Sequence, residues 1–310
     1  MTKRIIWPQA PRSVVMIRPH HFTPNPATAA DNKFQSVDEK RAAEAISKAG
    51  YDEITNSVNQ LEKEGIKVHL FEDETKLTPD SVFPNNWFST HAGGYVAIYP
   101  MYSESRRAER RSDVIEMLKK EYIVKSVIDY SSLEQDNIFL EGTGSMVIDH
   151  LDRVAYGAIS KRTDAVLLER FCTHFALEPF PFDAADASGL PIYHTNVLMC
   201  IGTDYVLIGL DTVVDPNKRK EIAKRFEATG RTIIDLSHAQ IAEFAGNAIE
   251  LMGKDGPVLA ISSRSVAALK PDQLKALEQA VKVLPLDIPT IELAGGSVRC
   301  TIAGVHLTKR

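Results

Sequence analysis

Three residues of types that together make a thiol enzyme stand far apart in this chain. Cys300 lies in Gly295-Gly296-Ser297-Val298-Arg299-Cys300-Thr301, ten residues from the C-terminus. His194 stands in Tyr193-His194-Thr195-Asn196, and Glu141 in Leu140-Glu141-Gly142-Thr143-Gly144. A thiol becomes a nucleophile when a base takes its proton, and the base works when a further polar group fixes it. A cysteine, a histidine and an acid, each beside glycine or turn residues, therefore point to a cysteine-dependent enzyme acting on a small molecule.

Composition narrows the alternatives. The chain has 310 residues, 44% hydrophobic and 25% charged, as a globular protein does. A net charge of −5 with no long basic stripe argues against a nucleic-acid partner. The basic cluster Arg106-Arg107 and Arg110-Arg111 is interleaved with Glu104, Glu109 and Glu116, and reads mostly as a solvated helix face. Three widely spaced cysteines make no disulfide framework, and no close Cys/His set has zinc spacing. Cys172-x-His174 falls in a helical stretch, and Cys200 sits inside an apolar strand, so both thiols read as inert. No apolar run reaches the length of a membrane span and no secretory leader opens the chain, so no membrane partner and a reducing cytoplasm are expected.

The elements that must position these residues are short. Strand-like runs of mostly four to seven residues, rich in Val and Ile, cover 13–17, 67–71, 95–98, 146–148, 153–158, 197–201, 205–209, 232–235, 257–262, 290–294 and 297–303. Cys300 stands in the last of these, at the mouth of a strand. Tight turns at 150–152 and 202–204 predict hairpins. Amphipathic patterns predict helices over 38–48, 54–65 (closed by Gly65), 104–122, 164–175, 217–228 and 270–283, the last with Pro271 in its first turn. Helices alternate with strands while hairpins are mixed in, so an α/β fold with partly antiparallel sheets follows. With no linker or charge block, residues 1–310 read as a single domain. No nucleotide fingerprint is present; Gly253-Lys254-Asp255-Gly256 lacks phosphate-loop spacing, and Gly142-Thr143-Gly144 leads into a strand.

In order along the chain stand Arg18-Pro19, Asp80-Ser81-Val82-Phe83-Pro84-Asn85-Asn86, Ser105-Arg106-Arg107-Ala108-Glu109, Leu140-Glu141-Gly142, Gly157-Ala158-Ile159-Ser160-Lys161-Arg162-Thr163, His194 and Cys300. This ordered set, spread over about residues 13 to 306, resembles the guanidino-group-modifying, or pentein, superfamily. That superfamily includes arginine deiminase, dimethylarginine hydrolase, agmatine deiminase and the amidinotransferases. The resemblance implies a single-domain, five-fold pseudosymmetric α/β propeller of ββαβ-like units, though the sequence alone does not display the repeat. It implies Cys300 as nucleophile on a planar carbon, His194 as general acid and base, and Glu141 as the acid that holds the histidine. Arg106 and Arg162 match positions that bind a substrate α-carboxylate, for which a guanidinium fork is suited. Arg107 reads as an exposed helical arginine.

Two departures bear on the substrate. Where the family carries acids, this chain has the amides Asn86 and Asn196. A buried guanidinium needs anionic partners, whereas an amide offers a donor and an acceptor and so suits an uncharged ureido group. Asp80 remains to hold N–H groups. The resemblance is closest to an amidinotransferase-like subgroup associated with citrulline utilisation. Citrulline hydrolysis to ornithine, ammonia and carbon dioxide is the expected reaction, with no metal or organic cofactor implied. The alternatives are an arginine deiminase or dimethylarginine-type hydrolase, an amidinotransferase, and a non-catalytic binding module. A small amino acid is the expected partner, and a homo-oligomer is compatible with the reading.

Overall fold

Both hairpins expected from the tight turns form: Met146–Asp149 runs antiparallel to Val154–Ala158, and Met199–Ile201 to Tyr205–Ile208. The computed structural model describes residues 8–29 and 32–310, and in it each hairpin belongs to a larger unit. After Val154–Ala158, helix Ala165–Phe175 crosses over to Glu178–Phe182, which pairs parallel to the hairpin. After Tyr205–Ile208, helix Pro216–Ala228 leads to the parallel strand Thr232–Asp235. A parallel neighbour is out of reach of a tight turn, so each unit needs its crossover helix.

The same unit recurs. Phe88–His91, Tyr95–Ile98, helix Ser112–Glu121 and Ser126–Asp129 form one copy. Ile249–Met252, Pro257–Ser262, helix Pro271–Ala280 and Lys282–Leu286 form another. The remaining copy is shared between the two ends of the chain. Ser13–Pro19, helix Ala43–Lys63 and Lys67–Asp73 come from the N-terminal part, while the inner strand Ala303–Val305 arrives last and pairs Val305 with Ser13. Five three-stranded mixed sheets thus close into a ring, the five-fold α/β propeller that the resemblance implied. Residues from all five inner strands, including Thr90, Ile148, Cys200, Glu250 and Gly304, line one cavity on the ring axis. The apolar core lies between sheets and outer helices: Ile46, Ile54 and Leu61 pack with Val14 and Met16, and Leu168 and Phe171 with Ala155.

The structure corrects several sequence expectations. Residues 38–48 and 54–65 do not form two helices; one helix, Ala43–Lys63, runs through Gly50. Gly50 is a close-approach glycine, since a Cβ there would sit 2.9 Å from the Phe22 ring. Gly65 lies just past this helix at φ +83°, as expected of a terminating glycine. Residues 104–122 split into Glu104–Arg107 and Ser112–Glu121, because Arg106 turns inward. The basic cluster is therefore not a solvated face: Arg107 and Arg110 both pair with Glu134, and Arg111 with Asp113. Residues 290–294 hold a helical turn, Ile291–Leu293, whose leading N–H groups are accepted by Glu53 at 3.0 Å. Residues 297–303 hold helix Val298–Thr301, and the strand begins only at Ala303. Cys300 is thus on a helical turn ahead of a strand. Short apolar runs do not distinguish these states, and Gly295 at φ +78° breaks the extended path.

Candidate active site

One rule of placement organises the site. Just ahead of each inner strand the chain makes a tight turn, and each turn carries a polar residue toward the same end of the ring axis. Asn86 ends the turn Pro84–Asn86 before Phe88–His91. Glu141 opens Gly142–Ser145 before Met146–Asp149. His194 and Asn196 frame Thr195–Val197 before Met199–Ile201. Asn247 precedes Ile249–Met252, and Cys300 lies in Val298–Thr301 before Ala303–Val305.

Cys300 is buried, and its sulfur meets two amide donors. Asn196 Nδ2 lies 3.3 Å and Asn247 Nδ2 3.2 Å from Sγ. Asn247 is itself fixed, since its Nδ2 also donates to Asn196 O at 3.0 Å and its Oδ1 accepts from Arg299 N at 3.1 Å. Burial pushes the other two thiols, Cys172 and Cys200, up to about 12, and neither lines the cavity beside Cys300.

Glu141 and His194 form a buried pair, with Nε2 of the ring 2.9 Å from Oε2. The other carboxylate oxygen accepts from Tyr102 N at 2.9 Å. Burial alone would push this carboxyl up, but Arg162, the His194 hydrogen bond and Arg106 outweigh burial and hold it well below the usual carboxylate range. Burial lowers His194 below its ordinary value, more than Glu141 raises it. A neutral ring facing an ionised carboxylate carries its proton on Nε2, which leaves Nδ1 as the open base. Two glycines make room for this. A Cβ on Gly144 would stand 2.9 Å from His194 Nδ1 and 2.1 Å from Asn86 Nδ2. Gly142, at φ +51°, would set a Cβ 2.4 Å from Asn85 O.

Both expected arginines line the cavity but are already engaged. Arg106 gives Nε and Nη2 to Glu109 at 2.9 and 2.8 Å, and Nη1 to Asn86 Oδ1 at 3.0 Å. Burial pushes Glu109 up to about 7 even against this arginine. Arg162 stands 3.4 Å from Glu141, with its guanidinium over the Tyr193 ring at 5.1 Å. Asp80 accepts from Asn25 Nδ2 at 2.8 Å and lies 3.6 Å from Arg106. Arginine only donates, so Arg106 fixes the Asn86 amide with Oδ1 toward itself and Nδ2 turned away. Among the described residues, Asn86 Nδ2 and Asn196 Oδ1 have no hydrogen-bond partner, and neither polar atom of the Asn85 amide has one. Asp80, Asn86, Arg106, Arg162, His194 and Cys300 share a small cavity, with Phe83 and Tyr193 in its wall.

All eight sequence-expected residues thus gather at one end of the axis. Asn247 was missed. Its only sequence signal is the Gly246-Asn247 pair before a strand; Gly246 is required there because a Cβ would lie 2.6 Å from Val197 O.

Comparison with known proteins agrees with this architecture. Residues 18–307 match the family described as N,N-dimethylarginine dimethylhydrolase, eukaryotic. No curated protein matches significantly. Among solved structures, the product-bound N-terminal domain of ArgZ, an arginine dihydrolase of Cyanobacteria, superposes with TM-score 0.72 at 19% identity, covering 94% of this chain and 96% of that one. Unliganded AgrE superposes with TM-score 0.72 at 16% identity, over 94% of this chain and 38% of its own. A dimethylarginine dimethylaminohydrolase adduct with S-methyl-L-thiocitrulline gives TM-score 0.62 at 14% identity, over 94% and 99%. The chain has the pentein fold, is a hydrolase acting on carbon–nitrogen bonds, and belongs to the N,N-dimethylarginine dimethylhydrolase family.

Proposed function

We propose that the chain hydrolyses the ureido carbon of citrulline, releasing ornithine, ammonia and carbon dioxide. The observation that carries this reading is the pair of unpartnered amide atoms beside Cys300. Asn86 Nδ2 is a donor and Asn196 Oδ1 an acceptor. A ureido group has a C=O for the first and N–H for the second. A guanidinium has no acceptor, and would set N–H groups against the Asn86 donor.

In this reading His194 Nδ1 takes the thiol proton of Cys300, and the resulting thiolate, supported by the Asn196 and Asn247 amides, attacks the ureido carbon. His194 delivers a proton to the departing ornithine nitrogen, leaving a carbamoyl group on sulfur. The same ring then takes a proton from water, which displaces the thiolate and releases carbamate, the source of ammonia and carbon dioxide. Glu141 holds the ring and its tautomer. Asp80 holds N–H groups of the substrate, and Arg106 and Arg162 face its α-carboxylate. Residues 1–310 act as one catalytic domain.

A second reading is favoured by the family match and by Asp80 in the cavity: hydrolysis of a guanidino substrate, arginine or a methylated arginine. Purified protein incubated separately with citrulline, arginine, N,N-dimethylarginine and agmatine decides between them. Ornithine and ammonia from citrulline, at the highest kcat/KM of the four, is the expected outcome. Turnover of a guanidino substrate with citrulline left intact would establish the second reading instead.

A further inference from the structure

On the ring axis, behind the nucleophile, lies a larger cavity that the proposed reaction does not use. Gln9 stands at its edge, with Nε2 donating to Ile148 O and Ile201 O at 3.0 and 3.1 Å. Its lining is rich in nitrogen donors and poor in charge compensation. Arg299 enters it, and among the described residues its one side-chain hydrogen bond is Nη1 to Ile302 O at 2.8 Å. No described carboxylate stands within ion-pair distance of that guanidinium. His150 and His306 stack beside it with ring centroids 4.1 Å apart, and neither ring has a hydrogen-bond partner among the described residues. His91 and Thr90 complete this side, with His91 Nε2 held by Ser89 Oγ at 2.6 Å. Glu250, the carboxylate in the lining, is turned to the Thr203 backbone and hydroxyl at 3.1 and 2.6 Å. Arg299 is half-buried, and a cation partly removed from water without an anion is a costly arrangement unless something supplies one.

No group of three His, Cys, Asp or Glu side chains among the described residues is placed to hold a metal ion. A guanidinium fork with spare N–H groups beside two imidazoles suits an oxyanion instead, through charge-assisted hydrogen bonds. We propose that the axial cavity is a second ligand site, taking a small oxyanion of the phosphate or carboxylate class on Arg299, His150 and His306. Burial keeps these rings neutral in the absence of an anion, His306 down to about 4 with Arg299 adding to the effect. A bound anion reverses the field they feel. The site is coupled to the nucleophile by a short path: Arg299 N–H donates to Asn247 Oδ1, and Asn247 donates to Cys300 Sγ.

The test is calorimetric titration of the full chain with inorganic phosphate and, separately, with acetate, alongside histidine-ring NMR. The expected result is saturable binding of one or both, with the His150 and His306 signals shifting. R299Q and H306Q should each weaken it by roughly tenfold or more, as loss of a charge-assisted contact implies. Tighter binding of phosphate assigns a phosphoryl ligand, and tighter binding of acetate a carboxylate. Absence of binding overturns the proposal. So does binding that persists unchanged in both variants, which would place the anion at Arg106 and Arg162. If R299Q does not fold, H306Q and the wild-type ring shifts still decide.

Discussion

Among the described residues, no cation is in hydrogen-bond contact with the Cys300 thiol; what reaches it are the two amides of Asn196 and Asn247. Replacing the sulfur by a hydroxyl removes the nucleophile and leaves the walls of the cavity intact. Cys300→Ser should therefore bind substrate while losing turnover by on the order of 10³-fold or more, as steady-state ammonia release and calorimetry will show. Equal activity in the variant would remove Cys300 from the chemistry. The amides decide substrate in a different way. Asn86→Asp with Asn196→Asp places carboxylates where a guanidinium head group would lie, compensating its desolvation. The ratio of kcat/KM for citrulline over arginine should fall by roughly tenfold or more. An unchanged ratio would mean that neither amide faces the reacting group. These residues were legible from their order in the chain. Asn247 was not, because nothing in its neighbourhood marks an asparagine as a donor to sulfur.

At the scale of elements, the site is built by repetition of one turn. Each inner strand starts beside the axis, so whatever residue precedes it lies near the same point. The sequence shows two of the hairpins, at 146–158 and 199–208, and three of the crossover helices, over 164–175, 217–228 and 270–283, since their periodicities differ. It hides the turns, which hold three or four residues and look like the ends of strands; residues 290–294 and 297–303 have the composition of strands for that reason. The glycines of these turns are where packing is tightest. Gly144→Ala puts a methyl group 2.1 Å from Asn86 Nδ2 and 2.9 Å from His194 Nδ1, so both must move. A displacement of this size at a general base costs about 10²-fold in kcat, with destabilisation of about 1–3 kcal/mol. Kinetics and thermal unfolding of the variant measure both. Wild-type kcat in Gly144→Ala would show that His194 and Asn86 tolerate displacement.

For the whole molecule, closure of the ring joins Ala303–Val305 to Ser13–Pro19 and encloses the axis. Enclosure has a consequence for acid stability. His306 is held down to about 4, against 6.5 for an unperturbed ring, mainly by burial and further by Arg299. Above pH 6.5 the folded and unfolded chains both keep it neutral. As pH falls from 6.5 toward 4, the unfolded chain takes up the proton and the folded chain does not. Folding loses about 3 kcal/mol from this group across that window. His306→Gln should therefore flatten the decline of unfolding free energy between pH 6.5 and 4, measured by denaturant titration in oxyanion-free buffer. A slope identical to wild type would mean that the ring is protonated as readily folded as unfolded. This feature was not legible beforehand, because His91, His150 and His306 come from distant segments that only the closed ring brings to one axis.

In the proposed reaction a ureido carbon becomes bonded to Cys300. Acid quenching of the enzyme during turnover of citrulline, followed by intact mass and peptide mapping, tests this directly. The expected result is a carbamoyl-type adduct on the Cys300 peptide, absent in Cys300→Ser and absent from the Cys172 and Cys200 peptides. An adduct that forms with arginine and not with citrulline, or one carried by Cys172 or Cys200, would contradict it.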